Sequence, residues 1–263
     1  MRKIGMGLIA VMLLCLLATT SGQAAAAISL ETAIDQAGRQ RMLTQRMVKV
    51  YALIGQRVSV GRAYDQLDAS VALFDKQLNA LKPVAGTAEE RASLRKIERL
   101  WRRLKKVVTA KPDREKAQGV DKLAEATLRE ADRFVGLLEK RSGKAAGHLT
   151  NLAGRQRMLS QRMAKFYVLR SWGLDLPAYR QGFDAAVVAF GNALRGLTNA
   201  EENTDAITKG LDDVTRQWRL FGLSKAVDGG RFVPSLVTRS MDKILDRMDM
   251  LTMEYARLGE NKP

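Results

Sequence analysis

The chain has 263 residues, enough for two compact units that each bury a core. A hydrophobic fraction of 46% is normal for a soluble globular protein. Only 5 prolines and many helix-forming residues favour helix, and there is no convincing alternating strand pattern. The single cysteine excludes an internal disulfide. A net charge of +16 is compatible with anionic partners, but solvated helix faces are the usual explanation of such a charge. The charge alone therefore identifies no partner, and nucleic acid is not expected.

The first residues have the pattern of an export signal. Arg2 and Lys3 precede an apolar run from Leu8 to Leu17, which is followed by small residues that suit a signal peptidase. We therefore expect residues 1–26 to be a signal peptide, Cys15 to leave with it, and the mature chain to be periplasmic. The alternative is an uncleaved N-terminal membrane anchor.

Periodicity and breakers predict eight helices, four in each half of the remaining chain. In the first half they run from a cap at Ser29 to about Leu53, from Tyr64 to Leu81, from a capping box at Thr87 and Glu90 to about Val107, and from Arg114 or Val120 onward. In the second half the first helix ends at about Trp172, and a loop follows at Gly173 to Pro177. The next helix ends at about Leu197 and is followed by a polar loop at Asn199 to Thr204. The third helix then ends at about Leu220, and the last runs from Pro234 to about Leu258. Gly55 and Gly61 are predicted to bracket a loop, and Gly229-Gly230 to lie in another.

One stretch occurs twice and divides the chain. Residues 37–47 and 153–163 are identical at ten of eleven positions, the exception being Thr44 against Ser160, and they are 116 residues apart. Packing alone tolerates hydrophobic swaps of similar volume. This near-identity therefore indicates either very tight helix contact or a shared chemistry.

The two copies predict the fold class. Between Val120 and the second copy, Ser142-Gly143 and Gly147 are only weak interruptions, so one long helix is predicted to link the halves. We expect an all-α protein of two antiparallel four-helix bundles in tandem, joined by that helix. The predicted units are 27–141 and 142–263.

A stripe of small and apolar residues in the first copy contains two polar side chains. Members of this face, at about 100° per residue, are Ile34, Ala37, Gly38, Arg41 and Gln45. Gly38 lies one turn before Arg41 and would let another backbone approach closely.

The second copy presents Gly154, Arg157 and Gln161 on the same face. A packed arginine keeps its charge and needs an acceptor, either a carboxylate of the same chain or a bound anion. A structural salt bridge is therefore the alternative to ligand binding for Arg41 and Arg157. Gln45 and Gln161 could orient the arginines, donate to an anion or simply pack.

Other conspicuous residues have simpler interpretations. The arginines expected at the bundle edge are Arg39, Arg46, Arg155 and Arg162. The residues expected to fill the core are Met42, Met47, Met158, Met163, Trp101 and Trp218.

The repeated strings carry a family resemblance. The Gly-x-x-Arg-Met pattern at 38–42 resembles the P-box of nitrate/nitrite sensor histidine kinases. The longer Ala-Gly-Arg-Gln-Arg-Met-Leu-Ser-Gln-Arg at 153–162 is similar to the N-terminal domain of type IV pilus methyl-accepting chemotaxis transducers. In these families two P-box helices meet across a dimer, and one arginine from each clamps a small planar anion.

The resemblance implies a non-catalytic sensor that binds nitrate or nitrite. The implied ligand-binding residues are Arg41, Arg157, Gly38, Gly154, Gln45 and Gln161. Because both copies lie in one chain, the two arginines could face each other across an internal pseudo-twofold axis. The alternative is a homodimer, which a long connecting helix would favour. The kinases and transducers continue into membrane and signalling segments, whereas this sequence ends at Pro263, so a separate membrane receptor or signalling protein is expected as partner.

An enzyme has little support in this sequence. His148 is the only histidine, no His/Cys/carboxylate cluster suggests a metal site, and no Gly-rich loop suggests a phosphate site. No catalytic residue, cofactor or metal is therefore predicted. The second hypothesis belongs to a different functional class: a ligand-free interaction protein that docks on a receptor, a pilus component or an anionic surface. Converging, unpaired arginines would favour the sensor, and separate arginines paired to carboxylates would favour the interaction protein.

Overall fold

The computed structural model describes residues 28–227 and 232–261, and all regular structure in these ranges is helical. The helices are α1 (Leu30–Gly55), α2 (Val60–Leu81), α3 (Ala88–Val108), α4 (Arg114–Ser142), α5 (Ala145–Ser171), α6 (Pro177–Thr198), α7 (Asp205–Val227) and α8 (Pro234–Asn261), with a short 3-10 turn at Lys82–Val84. The predicted signal peptide, including Cys15, and the predicted loop at Gly229-Gly230 lie outside the described residues.

Local capping chemistry sets several helix ends. Ser29 Oγ accepts from the backbone N–H of Thr32 at 3.1 Å, as the sequence predicted. The reciprocal capping box of Thr87 and Glu90 is present at the start of α3. Two boundaries were wrong: α2 begins one residue before Gly61, which is therefore helical, and α7 extends seven residues beyond the predicted end.

The predicted long linking helix is wrong. Helix α4 ends at Ser142, and Gly143 adopts the left-handed conformation (φ 62°) with its N–H bonded to the Glu139 carbonyl at 3.1 Å. Helix α5 then runs back antiparallel to α4, and Lys165 on α5 contacts Asp121 on α4. A glycine with positive φ that ends one helix thus reverses the chain, so it does more than interrupt a helix weakly.

The two repeats lie side by side around a parallel pair of helices. Helix α1 packs more extensively on α5 than on any other helix. The pair is parallel, because Arg157 donates to the Asp35 carbonyl near the start of α1 and Gln56 donates to the Val168 carbonyl near its end. Helices α4 and α8 run antiparallel to this pair and flank it, and the remaining four helices form the outside.

Equivalent aromatic contacts hold the outer helices in each repeat. Trp101 stacks on Phe74 with ring centroids 4.0 Å apart, and Trp218 packs on Phe190 at 4.5 Å. Trp101 and the four methionines predicted for the core are buried, and Trp218 is partly buried. Within the described ranges, no helix combines the length and apolar character that a membrane span needs.

The ends of α1 and α5 provide a stability test. A Cβ on Gly55 would lie 2.1 Å from Cζ2 of Trp172, so we expect Gly55→Ala to lower the free energy of unfolding by about 1–3 kcal/mol. Gly136, inside α4, has no atom within 4 Å of an added Cβ. Gly136→Ala should therefore raise stability by up to about 1 kcal/mol. Urea unfolding of both variants checks the prediction, and shifts of the same sign would contradict this packing of α1 on α5.

Candidate functional site

The side chains of Arg41 and Arg157 converge inside the α1–α5 interface, and only 1% and 0% of these residues is exposed. A Cβ on Gly38 would lie 3.2 Å from Nη2 of Arg41 and 3.6 Å from Nη2 of Arg157. On Gly154 the corresponding distances are 3.4 Å and 3.2 Å. One chain therefore supplies both arginines of the repeat to a single place.

The contacts of the two arginines are reciprocal. Nη2 of Arg41 donates to the Asn151 carbonyl at 3.3 Å, and Nη2 of Arg157 donates to the Asp35 carbonyl at 3.1 Å. Asp35 and Asn151 are 116 residues apart, as are the two arginines. Reciprocal contacts of this kind define a twofold relation, here an internal and approximate one.

The glycines make room for guanidinium groups rather than for a neighbouring backbone. The three atoms nearest to an added Cβ at Gly38 are all arginine side-chain atoms, and at Gly154 two of the three are. The expectation of close backbone approach was therefore wrong. Any larger side chain at either position would come into close contact with the guanidinium nitrogens.

Two carboxylates compensate the charge of Arg157. Its Nη1 forms ion pairs with Oδ1 of Asp35 at 2.7 Å and with Oδ1 of Asp249 at 2.8 Å. Burial alone would lower the pKa of Arg157, but the two carboxylates outweigh it and raise the pKa above its usual value. This arginine is locked in the charged form by its own chain.

Arg41 is compensated less completely. Its Nη1 contacts Oδ1 of Asp132 at 2.6 Å, and 46% of the Asp132 side chain is exposed. Burial lowers the pKa of Arg41, Asp132 opposes that shift, and the charge of Arg157 adds to it. The position equivalent to Asp35 is Asn151, whose amide donates to Glu139 instead, so Arg41 lacks a second carboxylate.

The structure does not bring the two predicted glutamines to the arginines. Gln161 Nε2 donates to Oδ1 of Asp242 at 3.1 Å, and Gln45 Nε2 donates to Oγ1 of Thr44 at 3.3 Å. Both glutamines are fully buried. Among the described residues, neither amide is hydrogen-bonded to a guanidinium group.

Two buried lysines were missed by the sequence analysis. Lys49 Nζ lies 2.7 Å from Oδ1 of Asp242 on α8. Lys165 Nζ lies 2.6 Å from Asp121 and 2.6 Å from Glu125, both on α4. Each lysine is 0% exposed and pairs with the last helix of the other repeat. These ion pairs therefore tie the two repeats together.

The signal for these clusters was present in the repeat offsets. Lys49 and Lys165 are 116 residues apart, eight positions after the two arginines. Their partners Glu125 and Asp242 are 117 residues apart, as are the arginine partners Asp132 and Asp249. A search for charged residues repeated at these offsets would have found both sets.

A groove opens beside Asp132. It has a volume of about 290 Å³, lies between α4, α5 and α6, and is lined partly by Asp132, Arg155 and Arg162. Arg155 is exposed and forms no ion pair within the part of the chain that the structure describes. Its repeat counterpart, Arg39, instead binds Asp249 at 2.8 Å. The groove therefore places the unpaired guanidinium of Arg155 in the same wall as Asp132, the exposed ion-pair partner of Arg41.

The buried lysine of α1 predicts a pH dependence. Burial lowers the pKa of Lys49 to about 8, which Asp242 only partly opposes. The folded-state pKa lies below the unfolded one, so the unfolded chain binds more protons between these values and stability rises with pH. We expect the free energy of unfolding of the wild type to rise by about 2 kcal/mol from pH 8 to pH 10 relative to Lys49→Met. Urea unfolding at both pH values measures this difference, and a constant difference would contradict it.

Comparison with known proteins places the chain in a family. A search of curated proteins and a search of solved structures each find no match. The family profile of the type IV pili methyl-accepting chemotaxis transducer N-terminal domain (PilJ) matches residues 24–127 and 141–221, which include both arginines and both glycines of the repeat. Among the described residues no group of His, Cys, Asp and Glu could hold a metal ion. The chain is a sensory helical module that belongs to the type IV pili methyl-accepting chemotaxis transducer N-terminal family.

Proposed function

We propose that this chain is an exported, non-catalytic sensor for a small planar anion such as nitrate or nitrite, which binds between Arg41 and Arg157. The observation that carries the proposal is the convergence of both Nη2 atoms beside Gly38 and Gly154. The resemblance of the repeat to the nitrate/nitrite P-box suggests the ligand. The predicted signal peptide suggests the periplasm, and a membrane receptor or signalling protein would receive the signal.

Electrostatics favour an anion at this point. Two buried cations that approach each other are mutually unfavourable, and Arg157 lowers the pKa of Arg41 accordingly. An oxyanion that accepts from both guanidinium groups would offset this repulsion with charge-assisted hydrogen bonds. Because both arginines belong to one chain, the proposed site needs no second copy, and a homodimer is the alternative assembly.

The groove beside α4 offers a route to Arg41. Arg155 and Arg162 would attract an anion into the groove, where Asp132 is the exposed carboxylate that competes for Arg41. An anion that displaced Asp132 would break an ion pair between α1 and α4. Ligand binding would thereby loosen α4, which gives the sensor a mechanical output.

The test is thermal unfolding in nitrate, nitrite and chloride at matched ionic strength. A ligand at about 100 times its dissociation constant should stabilise the protein by roughly 2.7 kcal/mol. We expect Arg41→Ala to abolish the nitrate- or nitrite-specific rise. Asp132→Asn removes the competing charge and should increase the anion affinity. The matched control is Asp249→Asn, because Arg157 retains Asp35 and the affinity should change less. The absence of a specific shift in both the wild type and Asp132→Asn would rule out these ligands.

A second candidate is a ligand-free interaction protein that docks on a receptor, a pilus component or an anionic surface. The observation in its favour is that each buried arginine already has a carboxylate partner at 2.6 to 2.8 Å. The two arginines converge and are also paired with carboxylates. The sequence analysis expected only one of these features for each hypothesis, so the arginine geometry alone does not separate the two. For this candidate, anions leave the unfolding temperature unchanged, and Arg41→Ala acts only as a destabilising core substitution.

A further inference from the structure

One exposed side of α3 carries a row of cations. The four residues of this row, referred to below as the α3 basic ridge, are Arg95, Arg99, Arg102 and Lys106. They are spaced by four, three and four residues, so they share one face of the helix. All four are exposed, whereas Ile97 and Leu104 on the other side of α3 are fully buried. The ridge therefore points away from the core, and it runs for about 16 Å along the helix axis.

The chain does not neutralise this ridge. Within the part of the chain that the structure describes, none of its four residues forms an ion pair. The neighbouring charges on α3 are paired with other helices or turns, since Lys96 lies 2.7 Å from Glu130 and Glu98 lies 3.0 Å from Lys82. Like charges three or four residues apart destabilise a helix. The ridge therefore opposes the formation of α3, and no carboxylate of the described residues offsets it.

The second repeat shows that the fold does not require these charges. Trp101 and Trp218 occupy equivalent places against Phe74 and Phe190, so an offset of 117 residues aligns α3 with α7. The α7 residues at the four ridge positions are, in order, Asp212, Arg216, Arg219 and Leu223. The charge of the row is thus +4 on α3 and +1 on α7. Because the two helices have the same place in their repeats, packing does not explain the four cations on α3.

The composition of this face favours a lipid surface over a protein partner. Stable protein interfaces depend on buried aromatic or apolar anchors, and their cores are depleted in lysine. The large exposed apolar side chains among the described residues lie on α2, α6, α7 and α8 or just before α8, and none lies on α3. The face thus offers positive charge without an apolar anchor. Clusters of four to eight lysines and arginines on an amphipathic helix are typical of helices that bind anionic lipid.

We propose that α3 docks lengthwise on an anionic lipid surface, with the α3 basic ridge against the phosphate groups. Binding is peripheral and reversible, because cations alone meet the membrane and no apolar side chain of α3 enters it. It weakens as salt screens the exposed charges. This surface does not depend on the proposed site at Arg41 and Arg157. For the second candidate function, it names the face that would dock on an anionic surface.

The experiment is co-sedimentation of the protein with vesicles of phosphatidylcholine, with and without phosphatidylglycerol. The readout is the difference between the two vesicle types, so any contact common to both cancels. We expect the protein to bind the anionic vesicles at about 0.05 M salt and to dissociate at about 0.5 M. Each cation near an anionic surface changes the partition coefficient roughly fivefold. The combined variant Arg95→Gln, Arg99→Gln, Arg102→Gln and Lys106→Gln should therefore lower it by at least about a hundredfold.

A second variant of equal net charge is the matched control. It combines Lys209→Gln, Arg219→Gln, Arg239→Gln and Lys243→Gln, which remove four exposed cations from α7 and α8. Its partition coefficient should fall by less than about fivefold. The unfolding midpoint of the α3 variant should stay equal or rise, because repulsion between like charges is removed. Arg95→Asp tests the ridge with one substitution that α7 accepts as Asp212, and it should weaken binding more than about tenfold.

Three results would overturn the proposal. The first is that the wild type shows no preference for anionic vesicles at low salt. The second is an equal loss of binding in the two combined variants, which would assign the effect to net charge rather than to α3. The third is that polyglutamate or DNA binds through the ridge and anionic vesicles do not, which would make the partner an acidic macromolecule. The α3 variant should keep any nitrate response of the wild type, so this proposal and the anion site fail separately.

Discussion

The parallel pairing of α1 and α5 depends on four buried cations that carboxylates of the flanking helices neutralise. Arg41, Arg157, Lys49 and Lys165 are each at most 1% exposed and are paired within 2.6 to 2.8 Å. An unpaired buried charge costs several kcal/mol, so any shift of one helix along the other would be strongly penalised. The cations therefore fix the register of the two repeats more than they add net stability.

The direction of these ion pairs ties the two repeats to each other. Each arginine finds a carboxylate on the last helix of its own repeat, Asp132 or Asp249, whereas each lysine reaches the last helix of the other repeat. Helices α4 and α8 are therefore each bound to both central helices. A movement of α4 or α8 would disturb ion pairs to both α1 and α5, on both sides of the pseudo-twofold axis. Such a connection suits a domain that transmits a signal.

The sequence predicted the local structure well and the relation between the repeats only in part. Caps, helix number and the apolar faces depend on neighbouring residues, and Ser29, Thr87 and Pro234 marked helix starts correctly. The reversal at Gly143 was missed because a single glycine is compatible with either a continuous helix or a left-handed cap. Which carboxylate neutralises Arg41 depends on contacts about ninety residues apart, for which helical periodicity holds no information.

The two repeats differ at positions that contact or lie near the paired arginines. Asp35 and Asn151 occupy equivalent places, and this one difference leaves Arg157 with two carboxylates and Arg41 with one that is half exposed. Likewise Arg39 is held by Asp249, while its counterpart Arg155 stays exposed beside the groove. Both differences reduce compensation on the same side of the pseudo-twofold axis. A duplicated domain selected only for packing has no reason to concentrate its asymmetry in this way. The proposed anion site does require it, because an external anion can replace an internal carboxylate only at a weakly held arginine that has an open approach.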